Sequence, residues 1–177
     1  MEYQQLETKR LILRNFSPSD LPFIFNHFSS SFVSQYLYDN EPPQTPEEAG
    51  EILGWAMEHT SNHIRWCIVL KETSEQIGTI GFHKYDEQNN SAEIGYDLAE
   101  QYTQKGIMSE ALQCIIHHGK TAYRLHRIHA SVAEKNEASN RLLEKNGFLL
   151  EGICRDQYLF RGTYYDHKIW SYITDDR

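Results

Sequence analysis

The hydrophobic pattern of this chain changes its period near residue 100, which limits the folds that the chain can adopt. Between residues 65 and 98, three β-rich runs (65–71, 76–85 and 91–98) follow one another across short turns, as consecutive antiparallel strands do. After residue 106, segments with helical spacing alternate with strand-like runs. This order predicts an α/β fold in which one mixed sheet is covered by helices.

The remaining segments complete the predicted order β-α-α-β-β-β-α-β-α-β-β, with about seven strands and about four helices. Two N-terminal helices begin at capping sequences, Ser17-Pro-Ser-Asp20 and Thr45-Pro46 with Glu48, and run to about Phe28 and about His59. The other expected segments are a strand at 10–14, a helix at 108–123, a strand at 127–132, a helix at 137–145 closed by Asn146-Gly147, and strands at 148–160 and 163–173 that turn at Arg161-Gly162.

Length and charge exclude several classes of protein. The 177 residues predict a single domain spanning 1–177, and 40% apolar residues are enough to build one core. A net charge of −8 argues against a nucleic-acid partner, because binding phosphates requires a basic surface. The longest apolar run, 66–70, is too short to cross a membrane, and the N-terminus does not resemble a secretory signal.

The cysteines and histidines carry no obvious chemistry. Three widely spaced cysteines form no CxxC pair, which is typical of reduced residues in a cytoplasmic protein. His59 and His63 have the spacing of a metal-binding pair, but no adjacent Glu or third ligand accompanies them. We therefore expect no metal.

The segment from Tyr102 to Ser109 joins a strand end to a helix start. The first N–H groups of a helix have no partner within it, and the helix dipole is positive there, so this turn can hold a phosphate. Gly106 allows the backbone to approach closely, and the Ser109 hydroxyl is a further candidate contact. The segment matches neither the P-loop nor the GxGxxG pattern, and an ordinary tight connection is the alternative interpretation.

A series of motifs occurs in order along most of the chain, from Leu6 to Tyr172. The motifs are Ala92-Glu-Ile-Gly-Tyr-Asp-Leu98, Gln104-Lys-Gly-Ile-Met-Ser-Glu-Ala111, His126-Arg-Ile-His-Ala-Ser-Val132, Asn136-x-x-Ser139-Asn-Arg141-Leu-Leu-Glu-Lys-Asn-Gly147-Phe148, Glu151-Gly152 and Gly162-x-Tyr164-x-Asp166. Together they resemble the GNAT acetyltransferase superfamily, and within it the chain is most similar to the ribosomal-protein alanine/serine N-terminal acetyltransferases.

The resemblance implies a GNAT fold and direct acetyl transfer from acetyl-CoA to a primary amine. Backbone N–H groups of residues 104–109 would bind the pyrophosphate, and the strand ending near Leu98 would pair with the pantetheine arm. Asn136 would contact that arm, and Ser139 would assist the leaving thiolate. The implied acetyl-CoA contacts are Leu98, Gln104, Lys105, Gly106, Ile107, Met108, Ser109, Asn136, Ser139, Arg141 and Lys145.

Two positions depart from the family pattern. Many members have Gly where this chain has Gln104, so we expect a stiffer phosphate loop. Many also have a Tyr where Leu143 stands, and that Tyr protonates the thiolate. Leucine cannot do so, which leaves Ser139, a water molecule, or no acid at all.

Glu93 is the first candidate for the general base, because it lies on the strand that leads to the phosphate loop. Tyr158 is the second, because its strand precedes the Gly162 turn that resembles the family's acceptor-side hairpin. An exposed strand glutamate and a buried aromatic are the respective alternatives.

The resemblance favours the α-amino group of a protein N-terminus as the acceptor. A small amine (a polyamine, an amino sugar or an aminoglycoside) and a non-catalytic acyl-CoA-binding domain remain as alternatives. The protein is expected to be a monomer or a homodimer. We further expect the surplus carboxylates to line the side where a cationic amine enters.

Overall fold

The computed structural model describes residues 2–60 and 62–174. Its strands form one eight-stranded sheet in the order β1-β2-β3-β4-β5-β6-β8-β7, and all neighbours are antiparallel except β5 and β6. In chain order the elements are β1 (Leu6–Glu7), β2 (Leu11–Arg14), α1 (Leu21–Phe28), α2 (Ser31–Ser34), α3 (Pro46–Met57), β3 (Ile64–Leu70), β4 (Gln76–Asp86), β5 (Ser91–Leu98), α4 (Ile107–Ala122), β6 (Arg127–Ala133), α5 (Glu137–Lys145), β7 (Leu149–Phe160) and β8 (Thr163–Ile173).

The predicted α/β fold is confirmed, with eight strands and five helices in the described residues. The additional strand is β1, a two-residue segment paired with β2, and the additional helix is the four-residue α2. Both are too short to produce a recognisable period in the sequence.

Several predicted boundaries are corrected by one or two residues or by local geometry. The Ser17 cap opens a 3₁₀ turn (Pro18–Asp20) before α1, and α4 starts at Ile107 rather than Met108. The end of α3 at Met57 places His59 and His63 beyond the helix. Their spacing in sequence therefore does not correspond to one helical face.

Alternation along β5 separates the two faces of the sheet. Ala92 and Ile94 point into the larger core together with Leu112 and Ile115 of α4. Cross-strand partners show the opposite face, where Cys67 lies beside Thr79 and Thr79 beside Asp97. Helices α1 and α3 cover that second face through a smaller core that includes Ile24, Leu53 and Cys67.

The parallel pair β5 and β6 separates soon after it forms. Only Ser91, Ala92 and Glu93 of β5 pair with β6, at Arg127, Ile128 and His129. Beyond Glu93, β5 pairs on one side with β4, while β6 continues beside β8. Within the described residues, the backbone of 94–98 thus faces an opening in the sheet, called the strand opening below.

Candidate active site

A cavity of about 2000 Å³ is centred on the strand opening and is lined from both faces of the sheet. On the α4 and α5 face it is bordered by residues 103–104 and 106–109 and by the first turn of α5. On the α1 and α3 face it is bordered by residues 35–44, here the 35–44 loop, and by Tyr158 and His167 of the β7–β8 hairpin. A ligand lying in this cavity can therefore contact groups on both faces.

The turn before α4 has the backbone of a phosphate-binding loop. Gly106 is the N-cap of the 16-residue helix and has φ +71°, a left-handed conformation that favours glycine. Gln104 has φ +59°, which is uncommon for a residue with a side chain. This conformation explains why glycine suits position 104. A residue with a side chain, such as Gln104, is strained there.

Arg10 lies against this loop and was missed by the sequence analysis. Its guanidinium donates to the Lys105 carbonyl oxygen at 2.9 Å and to Glu110 at 2.6 Å. Glu110 also accepts hydrogen bonds from the Thr8 hydroxyl and the Arg10 backbone, and these contacts lower the pKa of its carboxyl even though burial opposes them. Arg10 thus brings a cation to the loop from a position about 95 residues away in sequence.

The other predicted contacts of the loop divide into backbone and side-chain groups. Ile107 and Met108 bury their side chains in the larger core, so they offer only their backbone to a ligand. The Ser109 hydroxyl donates to Asn146 Oδ1 at 2.9 Å and ties α4 to the end of α5. In this structure the hydroxyl is thus bonded to Asn146, whereas the sequence suggested it as a contact for a phosphate. The Lys105 ammonium lies over the Tyr102 ring, 5.6 Å from its centre.

The first turn of α5 brings two predicted residues to the strand opening. Asn136 caps the helix, and its Oδ1 accepts the backbone N–H of Ser139 at 3.1 Å. The Ser139 hydroxyl lies 2.6 Å from the Tyr96 hydroxyl of β5. Leu143 is fully buried in the core, whereas Arg141 and Lys145 are exposed along the cavity, with Arg141 paired to Glu137.

Glu93 lies on the opposite face from Ser139, at the point where β5 and β6 separate. Its buried carboxylate accepts a hydrogen bond from Lys84 at 2.8 Å and faces His83 at 3.3 Å and His129 at 3.7 Å. Burial raises its pKa, but contacts with the two histidines and Lys84 outweigh this effect and hold the pKa well below its usual range. Glu93 is therefore ionised and only weakly basic.

The 35–44 loop and the β7–β8 hairpin meet to form one wall of the cavity. Tyr38 stacks on Tyr165 with 3.8 Å between ring centres, and Glu41 pairs with Arg161. Tyr158, the second candidate base, packs beside His167 with 4.6 Å between ring centres. Burial raises the pKa of its phenol. A raised pKa keeps the phenol protonated, which makes Tyr158 a poor base at neutral pH.

Asp97 lines the cavity on the α1 and α3 face. Its carboxylate accepts from His27 at 2.6 Å, from Arg65 at 2.7 Å, and from the Thr79 hydroxyl and backbone at 2.6 and 2.9 Å. Burial raises the pKa of this carboxyl, but His27 and Arg65 outweigh burial and lower it to about 2. This network joins α1, β3, β4 and β5. The only signal in the sequence was a carboxylate within a buried strand.

Carboxylates are concentrated on the α1 and α3 side of the cavity. They are Asp39, Glu41, Glu48, Glu51, Glu93 and Asp97. Across residues 2–60 and 62–174, no group of three or more His, Cys, Asp or Glu side chains is arranged to hold a metal ion. In the same part of the chain, no helix is long and apolar enough to cross a bilayer.

A turn that can hold a phosphate, a strand opening beside it and a cavity through the sheet are the features expected of a protein that transfers a group from a CoA thioester. Residues 10–149 match the family model described as "Acetyltransferase (GNAT) domain". The chain belongs to the GNAT acetyltransferase family and is an acetyl-CoA-dependent N-acetyltransferase.

Relatives and solved structures agree with this assignment. The chain is 40% identical over 171 residues to the uncharacterized N-acetyltransferase YoaA of Bacillus subtilis (strain 168), covering 95% of this chain and 96% of YoaA. It is 33% identical over 126 residues to the ribosomal-protein-serine acetyltransferase of Escherichia coli (strain K12), covering 71% of this chain and 70% of that protein. The fold matches spermidine N-acetyltransferase from Vibrio cholerae in complex with CoA and spermine, with a TM-score of 0.83, 24% identity, and coverage of 94% and 97%.

Proposed function

We propose that this enzyme acetylates the α-amino group of a protein N-terminus, such as that of a ribosomal protein. The observation that carries the proposal is the size and course of the cavity. At about 2000 Å³ it exceeds the roughly 300–1,000 Å³ of ordinary small-ligand pockets. It runs from the phosphate-binding turn through the strand opening to the wall formed by the 35–44 loop. A chain terminus would enter along this wall and reach acetyl-CoA at the strand opening.

The proposed donor contacts follow from the same geometry. The N–H groups at the start of α4, together with Arg10, Arg141 and Lys145, would bind the phosphates. The unpaired edge of 94–98 would hydrogen-bond the pantetheine arm, as an added strand does, with Asn136 across the opening. A backbone N–H on this edge would stabilise the oxyanion.

The weak basicity of Glu93 supports an α-amine over a lysine. Only a neutral amine attacks a thioester, and the α-amino pKa of about 8 leaves a substantial neutral fraction at pH 7, whereas lysine has a pKa of about 10.4. We assign Glu93 as the base that receives the proton, directly or through water, with His83 and Lys84 holding its carboxylate in place. An amine that is already partly neutral needs no base before it attacks, so Glu93 acts only on the proton released after attack.

The relative that acts on a ribosomal protein supports the same acceptor class. The three cysteines are all free, which fits the predicted cytoplasmic location of such an enzyme. The acidic lining of the acceptor side favours a second candidate, a cationic small amine such as a polyamine, and the spermidine acetyltransferase shares this fold.

The test is CoA release from acetyl-CoA with a panel of N-terminal peptides, polyamines and aminoglycosides, followed by mass spectrometry of the acceptor. We expect amine-dependent release with peptides and acetylation at the α-nitrogen. Turnover of small amines alone would replace the protein acceptor by the second candidate. Binding of acetyl-CoA without thiol release from any amine would indicate a non-catalytic domain.

A further inference from the structure

We propose that Tyr96 is a positioning residue that directs the Ser139 hydroxyl toward the sulfur of acetyl-CoA. The inference rests on the proposed function only in that Ser139 is taken to lie beside the leaving thiolate. It assigns a role to Tyr96, to which the motifs gave none.

The two hydroxyls come from elements that meet only in the tertiary structure. Tyr96 lies on β5, with its ring packed against the larger core, and Ser139 lies in the first turn of α5. Their oxygens are 2.6 Å apart, and both residues line the cavity at the strand opening. The capping bond from the Ser139 N–H to Asn136 fixes the backbone of the serine.

The chemistry of the pair sets the direction of its hydrogen bond. Either hydroxyl can donate at this distance, and the greater acidity of a phenol favours the arrangement in which the Tyr96 O–H donates and the Ser139 oxygen accepts. A helical serine would otherwise tend to donate back to a carbonyl of the preceding turn. Accepting from Tyr96 occupies one side of the oxygen, and the serine hydrogen is then directed into the strand opening.

The pair acts by hydrogen bonding rather than by proton relay. Burial raises the pKa of Tyr96, so the phenol keeps its proton. As the tetrahedral intermediate collapses, the C–S bond breaks and its electron pair goes to sulfur. Ser139 donates a hydrogen bond to that thiolate. The amine proton has gone to the base, and the thiolate takes a proton from water.

The first test measures the ionisation of CoA bound to the full-length protein. Ultraviolet absorbance of the thiolate is followed against pH, with the spectrum of the protein alone subtracted to remove its three cysteines. Compared with free CoA, the thiol bound to the unsubstituted protein should ionise at lower pH. Ser139→Ala should reduce its ionisation constant by about 10- to 150-fold, and Tyr96→Phe by about 3- to 10-fold.

The second test is a double-mutant cycle in the acetyl-transfer assay. Tyr96→Phe should lower kcat by about 3- to 10-fold with KM for acetyl-CoA unchanged, and should add nothing in the Ser139→Ala background. Tyr123→Phe is the matched control, because its phenol donates to the Glu2 carbonyl away from this cavity. It should leave kcat and the thiol ionisation unaltered.

Three outcomes would overturn the inference. They are unchanged thiol ionisation in Tyr96→Phe, equally unchanged ionisation in Ser139→Ala, or additive losses in the cycle. If Tyr96→Phe does not fold, the thiol ionisation measured in Ser139→Ala decides whether the inference stands. The thiol measurement needs no acceptor, so a failure to acetylate N-terminal peptides would refute the acceptor proposal and leave this result standing.

Discussion

Replacing Asp97 by Asn should destabilise the protein more than any surface substitution. The two oxygens of this carboxylate accept four hydrogen bonds, from His27, Arg65 and the hydroxyl and N–H of Thr79. An amide has only one oxygen, so its NH₂ group would face a donor. The substitution also leaves the mostly buried Arg65 guanidinium without its charge partner. Breaking a buried pair from one side costs about 3–5 kcal/mol.

The loss of stability at acid pH gives a second magnitude for the contribution of Asp97. Lowering the Asp97 pKa from 3.8 to about 2 corresponds to about 2 kcal/mol of stability from this ionisation. Because the folded-state pKa is the lower one, that stability is present above the unfolded pKa of 3.8. It is lost as the pH falls through about 2.

Urea unfolding at pH 7 and at steps between pH 5 and 2 tests both statements. At pH 7 the Asp97→Asn protein should be about 3–5 kcal/mol less stable than the unsubstituted protein. The difference in free energy of unfolding between the two proteins should become smaller toward pH 2. Glu7→Gln is the control, since this exposed carboxylate pairs with Lys71 at the surface and should matter little. A loss below about 1 kcal/mol for Asp97→Asn with parallel pH curves would refute the reasoning.

Two further substitutions test the donor site and the base. Gly106→Val places a β-branched residue at φ +71°, a strain of about 1–3 kcal/mol, so calorimetry should show acetyl-CoA binding weakened about tenfold or more. Gly152→Val, on a strand with open space around it, is the control, and equal affinities would place the phosphate site elsewhere. Glu93→Gln should lower kcat/KM by about a hundredfold across pH, whereas Glu151→Gln, paired with Arg127 outside the cavity, should not. Because the Glu93 pKa lies below its usual range, the rise of kcat/KM with pH should follow the acceptor amine in both proteins. An unaltered rate in Glu93→Gln would remove it from the mechanism.

Local patterns were sufficient for most of the fold. The β-rich run 91–98 predicted a strand, and the structure has β5 over the same residues. Gly106 marked the turn before α4, and its left-handed conformation explains the residue type. Such features depend on backbone preferences within a few residues, and these preferences follow from the residue types.

The partners of these side chains could not be predicted, because they are distant in sequence. Arg10 and Lys105, His27 and Asp97, and Tyr96 and Ser139 are separated by 95, 70 and 43 positions. Nothing in their local sequence links the members of a pair. Glu93 was visible as a candidate base, but its low basicity depends on His83 and His129, which belong to the strands on either side.

The sequence by itself determined the order of helices and strands, the turn that can hold phosphates and the family to which the chain belongs. These follow from periodicity, capping residues and ordered motifs, all of which are local. Tertiary structure alone decided where β5 and β6 separate, which carboxylates remain ionised and which hydroxyls meet at the opening. Ionisation and hydrogen bonding depend on burial and on the neighbours that distant strands supply, so only the packed sheet fixes them.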